Sequence, residues 1–271
     1  MLYGDGDSER AIGRFLKNHG DCFVATKLGR KRIYPGSYTR ESLLEATCSS
    51  LSRLQVDTLN LTQLHCVPKN LLLEGKVFEW LREQQKDGLI EHFGASVETV
   101  EEGLICLEQE GLASLQVILN VFRQKPLDEL LPKAEALGIA IIVRLPLVSG
   151  LLAGKLDLNT QFPEGDHRNF NREGGKFNIG ETFAGIPFEK GVELVKDLRS
   201  LVPQGMSMSD MSLRWILDQE AVTMVIPGAS SPDQARKNAK ASELSPLQPN
   251  LHSMLDVFYR RQVHCHIRGP Y

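Results

Sequence analysis

Short apolar runs closing on a polar residue recur along the chain: CFVATK, TLNLTQLH, EHFGAS, SLQVILN and IAIIVR, with AVTMVIPG as a sixth. Runs of this length bounded by turn signals suit buried strands. Each is linked to the next by a stretch in which apolar residues recur at helical spacing. Strands joined this way are expected to be parallel, because a parallel neighbour needs a crossover of a dozen or more residues. The pattern predicts an α/β fold with six parallel strands. In a parallel barrel the strands' carboxyl ends carry the catalytic groups. Lys27, His65, Ser96, Asn120 and Arg144 would then converge on one rim.

The helices are marked at both ends. Ser8 is expected to cap a first helix whose inner stripe is Ile12, Phe15 and Leu16. Thr39 would cap a second with Leu43, Leu44, Leu51 and Leu54 inside, and Gly88 would stop the one beginning near Val77. Two more are expected near Phe188 to Leu201 and Ser207 to Gln219, and a tail helix around His252 to Gln262 follows Ser245. Between the fifth and sixth strands lies a polar, Gly-rich connection over 149–187, read as a substrate loop or lid on the rim because long loops in compact domains are often functional, a purely structural excursion being the alternative. The rhythm has no internal repeat or boundary, so residues 1–271 read as a single domain with a tail at 245–271.

Composition narrows the class. The 271 residues fit one barrel, for which roughly 250 is typical. A net charge of −3 with interspersed signs offers no field for nucleic acid or an anionic membrane. The basic run GRKR reads as a solvated loop. Five cysteines without a CxxC pair read as reduced thiols, and the first residues lack the order of a signal peptide. With no stretch long enough for a membrane span, a soluble cytoplasmic protein is expected. No histidine group has metal-ligand spacing, so no metal is expected, and the oligomeric state stays open.

Two segments carry chemistry. In IPGASSPDQARKN, Gly228 lets the backbone approach a ligand, Ser231 caps, and Pro232 opens a helix whose amino end suits an anion, though the segment could also be only a well-capped helix. Lys27 and His65 close neighbouring strands. Alone, each could be a snorkelling lysine or a satisfied core histidine, but with Tyr3 nearby in chain order the ammonium would stabilise a phenolate and lower the phenol's pKa from about 10, making it a proton donor to a carbonyl oxygen.

Taken together, YGDGDSERAIGRFL, VATKLG, LTQLH, GLIEHFGAS, LQVILN, LPLVSGLLAGK, LRWIL and IPGASSPDQARKN resemble the aldo-keto reductases in order and spacing, from Tyr3 to about Asn238. The resemblance implies NADPH, with NADH possible, passing a hydride to a small carbonyl substrate. It makes Tyr3 the proton donor, Lys27 the group that lowers its pKa and His65 the residue that orients the carbonyl. Ser96 and Gln116 would meet the nicotinamide carboxamide, and Arg144 would stand where many members stack an aromatic. Leu147, Gly150 and Leu151 would serve the pyrophosphate, and Gly228, Ser230, Gln234 and Asn238 the adenosine end. Gln234 replaces an arginine that often grips the 2′-phosphate, which weakens the NADP preference. Family members begin with two strands, the second carrying an aspartate, and neither precedes Tyr3. The expectation is therefore a TIM-type (β/α)8 barrel lacking its first two strands, truncated at the N-terminus. The alternative is a noncatalytic nucleotide-binding or interaction protein of the same descent, or an inactive fragment.

Overall fold

The computed structural model describes residues 4–20, 22–30, 38–170 and 184–271. The expected α/β pattern is observed, with strands β1 (Ala25–Leu28), β2 (Leu59–His65), β3 (Ile90–Ser96), β4 (Leu112–Ile118), β5 (Ala140–Arg144) and β6 (Val222–Val225). Sheet order follows chain order. The helices are α1 (Asp7–Leu16), α2 (Arg40–Leu54), α3 (Lys69–Glu74), α4 (Lys76–Lys86), α5 (Val100–Leu107), α6 (Leu130–Ala136), α7 (His167–Phe170), α8 (Phe188–Leu198), α9 (Met208–Leu217), α10 (Pro232–Lys240) and α11 (Pro249–Phe258). None is long and apolar enough to cross a membrane. The chain divides into two compact units, one of residues 1–116 and 136–140, the other of 117–135 and 141–271.

In the first unit the ladders β1–β2, β2–β3 and β3–β4 all run parallel. Alternation along each strand sends Leu28, Leu64, Phe93, Ala95 and Leu115 to one face, where each is at most 3% exposed. Phe78 of α4 meets Phe93 there, with ring centroids 6.5 Å apart. Thr39 caps α2 as expected, its hydroxyl accepting from the Ser42 amide, while Ser42 returns a bond to the Thr39 amide.

The first helix departs from its predicted register. It begins at Asp7 after Gly6, which has φ 93°, so Ser8 lies inside the helix and caps nothing. Ile12 and Phe15 are 36% and 50% exposed, whereas Glu9 and Gly13 are buried. The reason is polar and steric. Glu9 accepts from the Thr26 hydroxyl at 2.5 Å and from Arg53 Nε at 2.5 Å. Gly13 lets the helix close on α2, since a Cβ there would stand 2.7 Å from the carbonyl oxygens of Arg53 and Leu54.

In the second unit β5 and β6 pair in parallel. Met211, Leu213, Trp215 and Ile216 bury one side of α9. At its end Asp218 accepts from Arg214 Nε, the Leu247 amide and the His252 ring, which anchors the chain leading into α11. The tail helix thus starts at Pro249, earlier than predicted, because proline suits the first helical turn.

Candidate active site

Register decides which polar side chains share a face, because paired residues of neighbouring strands point the same way and alternate along each strand. Lys27 pairs with Gln63, His65 with Ser96, and Ser96 with Gln116. Lys27, Gln63, His65, Ser96 and Gln116 therefore lie on one face, at or near the carboxyl ends of β1 to β4. Lys27 and His65 are half-buried, and Ser96 and Gln116 are 2% and 3% exposed.

Beyond the ladder the strand ends are tied to one another. The Cys66 amide donates to Ser96 O at 2.8 Å and the Val97 amide to Gln116 O at 3.0 Å. Arg30 Nη1 donates to Cys66 O at 3.0 Å. Cys66 has φ 50°, a conformation unusual for a side chain bearing a Cβ, immediately after His65. Such positions cluster where a surrounding structure over-determines the backbone.

Beneath His65 runs a buried amide chain. Gln116 Nε2 donates to Gln63 Oε1 at 2.9 Å, and Gln63 Nε2 donates to Ser114 Oγ at 3.2 Å. Gly94 separates Gln63 from Ser114 in the register, and a Cβ on it would stand 2.3 Å from Ser114 Oγ. Glycine is thus what lets the β2 side chain reach β4. Gln116 Oε1 is buried without a hydrogen-bond partner among the described residues.

Sequence reasoning missed Gln63. A signal was present: LTQLH, HFGAS and LASLQ each place a polar or small residue two positions before the site residue, hence on the same face.

The second unit holds the other candidates. Arg144 ends β5, and the chain then enters a turn in which Leu145, Val148, Ser149 and Gly150 have φ 55°, 51°, 50° and 97°. Successive amides in turn conformations of this kind can form an anion-binding concavity. The Gly150 and Leu152 amides both donate to Leu147 O, and Leu151 is buried. Arg168, of the long connection, donates from Nη1 to Ser149 O at 3.1 Å. It also forms a two-pronged pair with Asp166 at 2.9 and 2.7 Å, and its guanidinium lies 4.0 Å from the Phe162 ring centroid.

At α10 the Ser231 hydroxyl accepts from the Gln234 amide, as a cap should. Gln234 Oε1 turns back to accept from the Ser230 amide at 2.8 Å and its hydroxyl at 3.0 Å. Asn238 Nδ2 donates to Gly228 O at 3.1 Å. The five residues form one largely exposed, internally bonded loop and helix start.

Asn120, expected on the rim, is 1% exposed and spent on structure. Its side chain accepts from the Phe122 amide and donates to Leu145 O. Tyr3, Lys31, Arg32 and Arg172 lie outside the described residues. Among the described residues no group of His, Cys, Asp and Glu could hold a metal ion.

Comparison with known proteins matches this arrangement to a family. An oxidoreductase of Bacillus subtilis, YqkF, is 28% identical over 252 residues, covering 89% of this chain and 75% of its own. The L-glyceraldehyde 3-phosphate reductase of Escherichia coli O157:H7 is 30% identical over 254 residues, covering 87% and 70%. The glycerol dehydrogenase structure from Gluconobacter oxydans superposes with a TM-score of 0.75 at 28% identity, covering 100% of this chain and 81% of that one. The six parallel strands are thus those of a TIM-type α/β barrel fold. The profile of the Aldo/keto reductase family matches residues 1–260, and the chain belongs to that family.

Proposed function

We propose that this oxidoreductase reduces an aldehyde or ketone to an alcohol with NADPH, NADH being the alternative cofactor. The observation that carries the reading is the shared face of Lys27, His65, Ser96 and Gln116, together with Gln116 Oε1, unpartnered among the described residues. A buried acceptor left without a partner costs free energy, and a carboxamide NH₂ supplies the missing donor. The residues present therefore fit a nicotinamide.

Bound there, the dinucleotide supplies a hydride. Ser96 and Gln116 hold its carboxamide. Lys27 would supply an ammonium that stabilises a phenolate, so that Tyr3 would give up its proton to the carbonyl oxygen at neutral pH. His65 donates to the same oxygen and orients it. Leu147, Gly150 and Leu151, in the left-handed turn, serve the pyrophosphate. Gly228, Ser230, Gln234 and Asn238 serve the adenosine end, where the helix start favours an anion. By the family resemblance Arg144 would take the place of the aromatic that stacks on the nicotinamide, through its planar guanidinium. The name of one relative, a reductase of a phosphorylated aldehyde, makes an anionic carbonyl compound the first substrate to try. A single domain spanning 1–271, a cytoplasmic location and no nucleic-acid partner complete the proposal.

The test is titration of the purified chain with NADPH and NADH by cofactor fluorescence, followed by addition of an aromatic aldehyde and a phosphorylated one. Binding with turnover supports the proposal. Binding without turnover favours a noncatalytic nucleotide binder, and absence of binding removes the reading altogether.

A further inference from the structure

We infer that Glu9 is a positioning residue: one carboxylate behind β1 fixes the end of that strand, and Lys27 with it, against the turn that follows Tyr3 in the chain. The inference rests on the reading in which Tyr3 and Lys27 act together, and adds what sets their spacing.

Thr26 and Lys27 are consecutive in β1, so they point to opposite faces of the sheet. Thr26 faces α1, where its hydroxyl donates to Glu9 Oε1 at 2.5 Å. The second carboxylate oxygen accepts from Arg53 Nε of α2, also at 2.5 Å, and Arg53 Nη2 donates to Ser50 Oγ at 3.3 Å. Arg53 packs in turn on the backbone of Gly6, where a Cβ would stand 2.6 Å from Arg53 Cδ. The turn Gly4–Gly6, directly after Tyr3 in the chain, is also held from α1, because Arg10 Nη2 donates to Asp5 O at 3.1 Å. Glu9 is thus bonded both to the strand of Lys27 and to the side chain that packs on this turn. Its own side chain is 5% exposed, so water offers little replacement for either bond.

The consequence is chemical. An ammonium lowers a phenol's pKa more the nearer it stands, and proton transfer tolerates little misplacement. Without the bond to Glu9, β1 keeps its ladder to β2 but loses the tie that sets its distance from the turn. The phenol should then titrate closer to about 10 and be a weaker acid at neutral pH. Glu9 acts through Thr26 and Arg53 and not on the substrate.

The experiment measures single-turnover oxidation of NADPH by an aromatic aldehyde, between about pH 6 and about pH 11, in the wild type, Thr26→Val and Thr26→Ser. Valine has the branched shape of threonine without its hydroxyl, so it cuts the bond from β1 to Glu9 and leaves the pair with Arg53 in place. In the direction of reduction the phenol must be protonated, and the wild-type rate falls as pH rises through its pKa. In Thr26→Val this fall is expected at least about one pH unit higher, with the rate at neutral pH at least about tenfold lower and the dissociation constant for NADPH unchanged. Thr26→Ser keeps the hydroxyl and should match the wild type. Should Thr26→Val fail to fold, Glu9→Gln takes its place, because it leaves one accepting oxygen for two donors and must shift the profile the same way.

A lower rate in Thr26→Val, with the fall left at its wild-type pH, would mean a merely structural role and overturn this inference alone. A wild type whose rate shows no such fall, or a Tyr3→Phe variant as active as the wild type, would remove the proton-donor reading and this inference with it. A wild type without turnover would do the same.

Discussion

Lys27 and His65 are half-buried groups at the ends of neighbouring parallel strands. Positioned proton-transfer groups contribute about 10²- to 10⁴-fold to a rate. Lys27→Met and His65→Ala should each lower kcat with an aldehyde by at least about 10²-fold, measured as dinucleotide oxidation at saturating substrate. Activity surviving both changes would show that the rim has been assigned to the wrong strand ends. The thiols give a second residue-level test. Cys22, Cys48 and Cys265 are exposed, while Cys66 and Cys106 are buried. Burial, helped by the charge of Glu102, pushes the Cys106 thiol up from 9.0 to about 12. Three thiols should therefore react quickly with a disulfide reagent at pH 8, and the other two only after denaturation. Because the unfolded thiol ionises first, Cys106 leaves stability unchanged below about pH 9. Its contribution is then lost as pH rises toward about 12. Fast labelling of Cys106 in the native protein would contradict its burial.

At the scale of elements, α1 is held less by its apolar stripe than by one carboxylate. Glu9, with a side chain 5% exposed, satisfies both Arg53 and the Thr26 hydroxyl, and Thr26 is the residue before Lys27. Removing one partner of such a pair leaves an uncompensated charge, at a cost of about 3 kcal/mol. Glu9→Ala should lose about that much in urea unfolding. Glu9→Gln should lose less, because its amide oxygen still accepts one of the two bonds. A loss under about 1 kcal/mol for Glu9→Ala would mean that Arg53 finds solvent instead. The start of α10 follows a different logic. There the Ser231 cap and the bonds from Ser230 to Gln234 make a helix amino end whose shape is set by its own neighbours.

At the scale of the whole molecule, the functional proposal makes a statement about stability. A ligand that binds the native state and not the unfolded one stabilises by RT ln(1 + [L]/Kd), about 2.7 kcal/mol at a hundred times Kd. For a chain of this size that corresponds to a rise in melting temperature of roughly 5 to 10 °C. Saturating NADPH should produce it in a thermal scan, and an unchanged melting temperature would count against a native dinucleotide site. The family assignment and the six-stranded parallel order stand independently of that result, since they rest on the profile match and the backbone.

The sequence by itself determined the strand and helix alternation, because short apolar runs and helical periodicity are local signals. It also determined the caps at Thr39 and Ser231, where a hydroxyl three residues before an amide suffices. Lys27, His65 and Ser96 were legible as polar residues closing strands, and Gln116 through the resemblance to the aldo-keto reductases. Three features needed tertiary structure. The face that α1 buries was decided by Glu9 and Gly13, whose partners Thr26, Arg53 and Leu54 lie far along the chain. Asn120 is bonded into a turn by backbone groups that no periodicity reveals. Gln63 joins the buried amide chain only because register sets it across Gly94 from Ser114 and within reach of Gln116. A hydrogen bond between buried side chains depends on two strands meeting at one offset, and pairing offset is a property of the folded sheet rather than of any one segment.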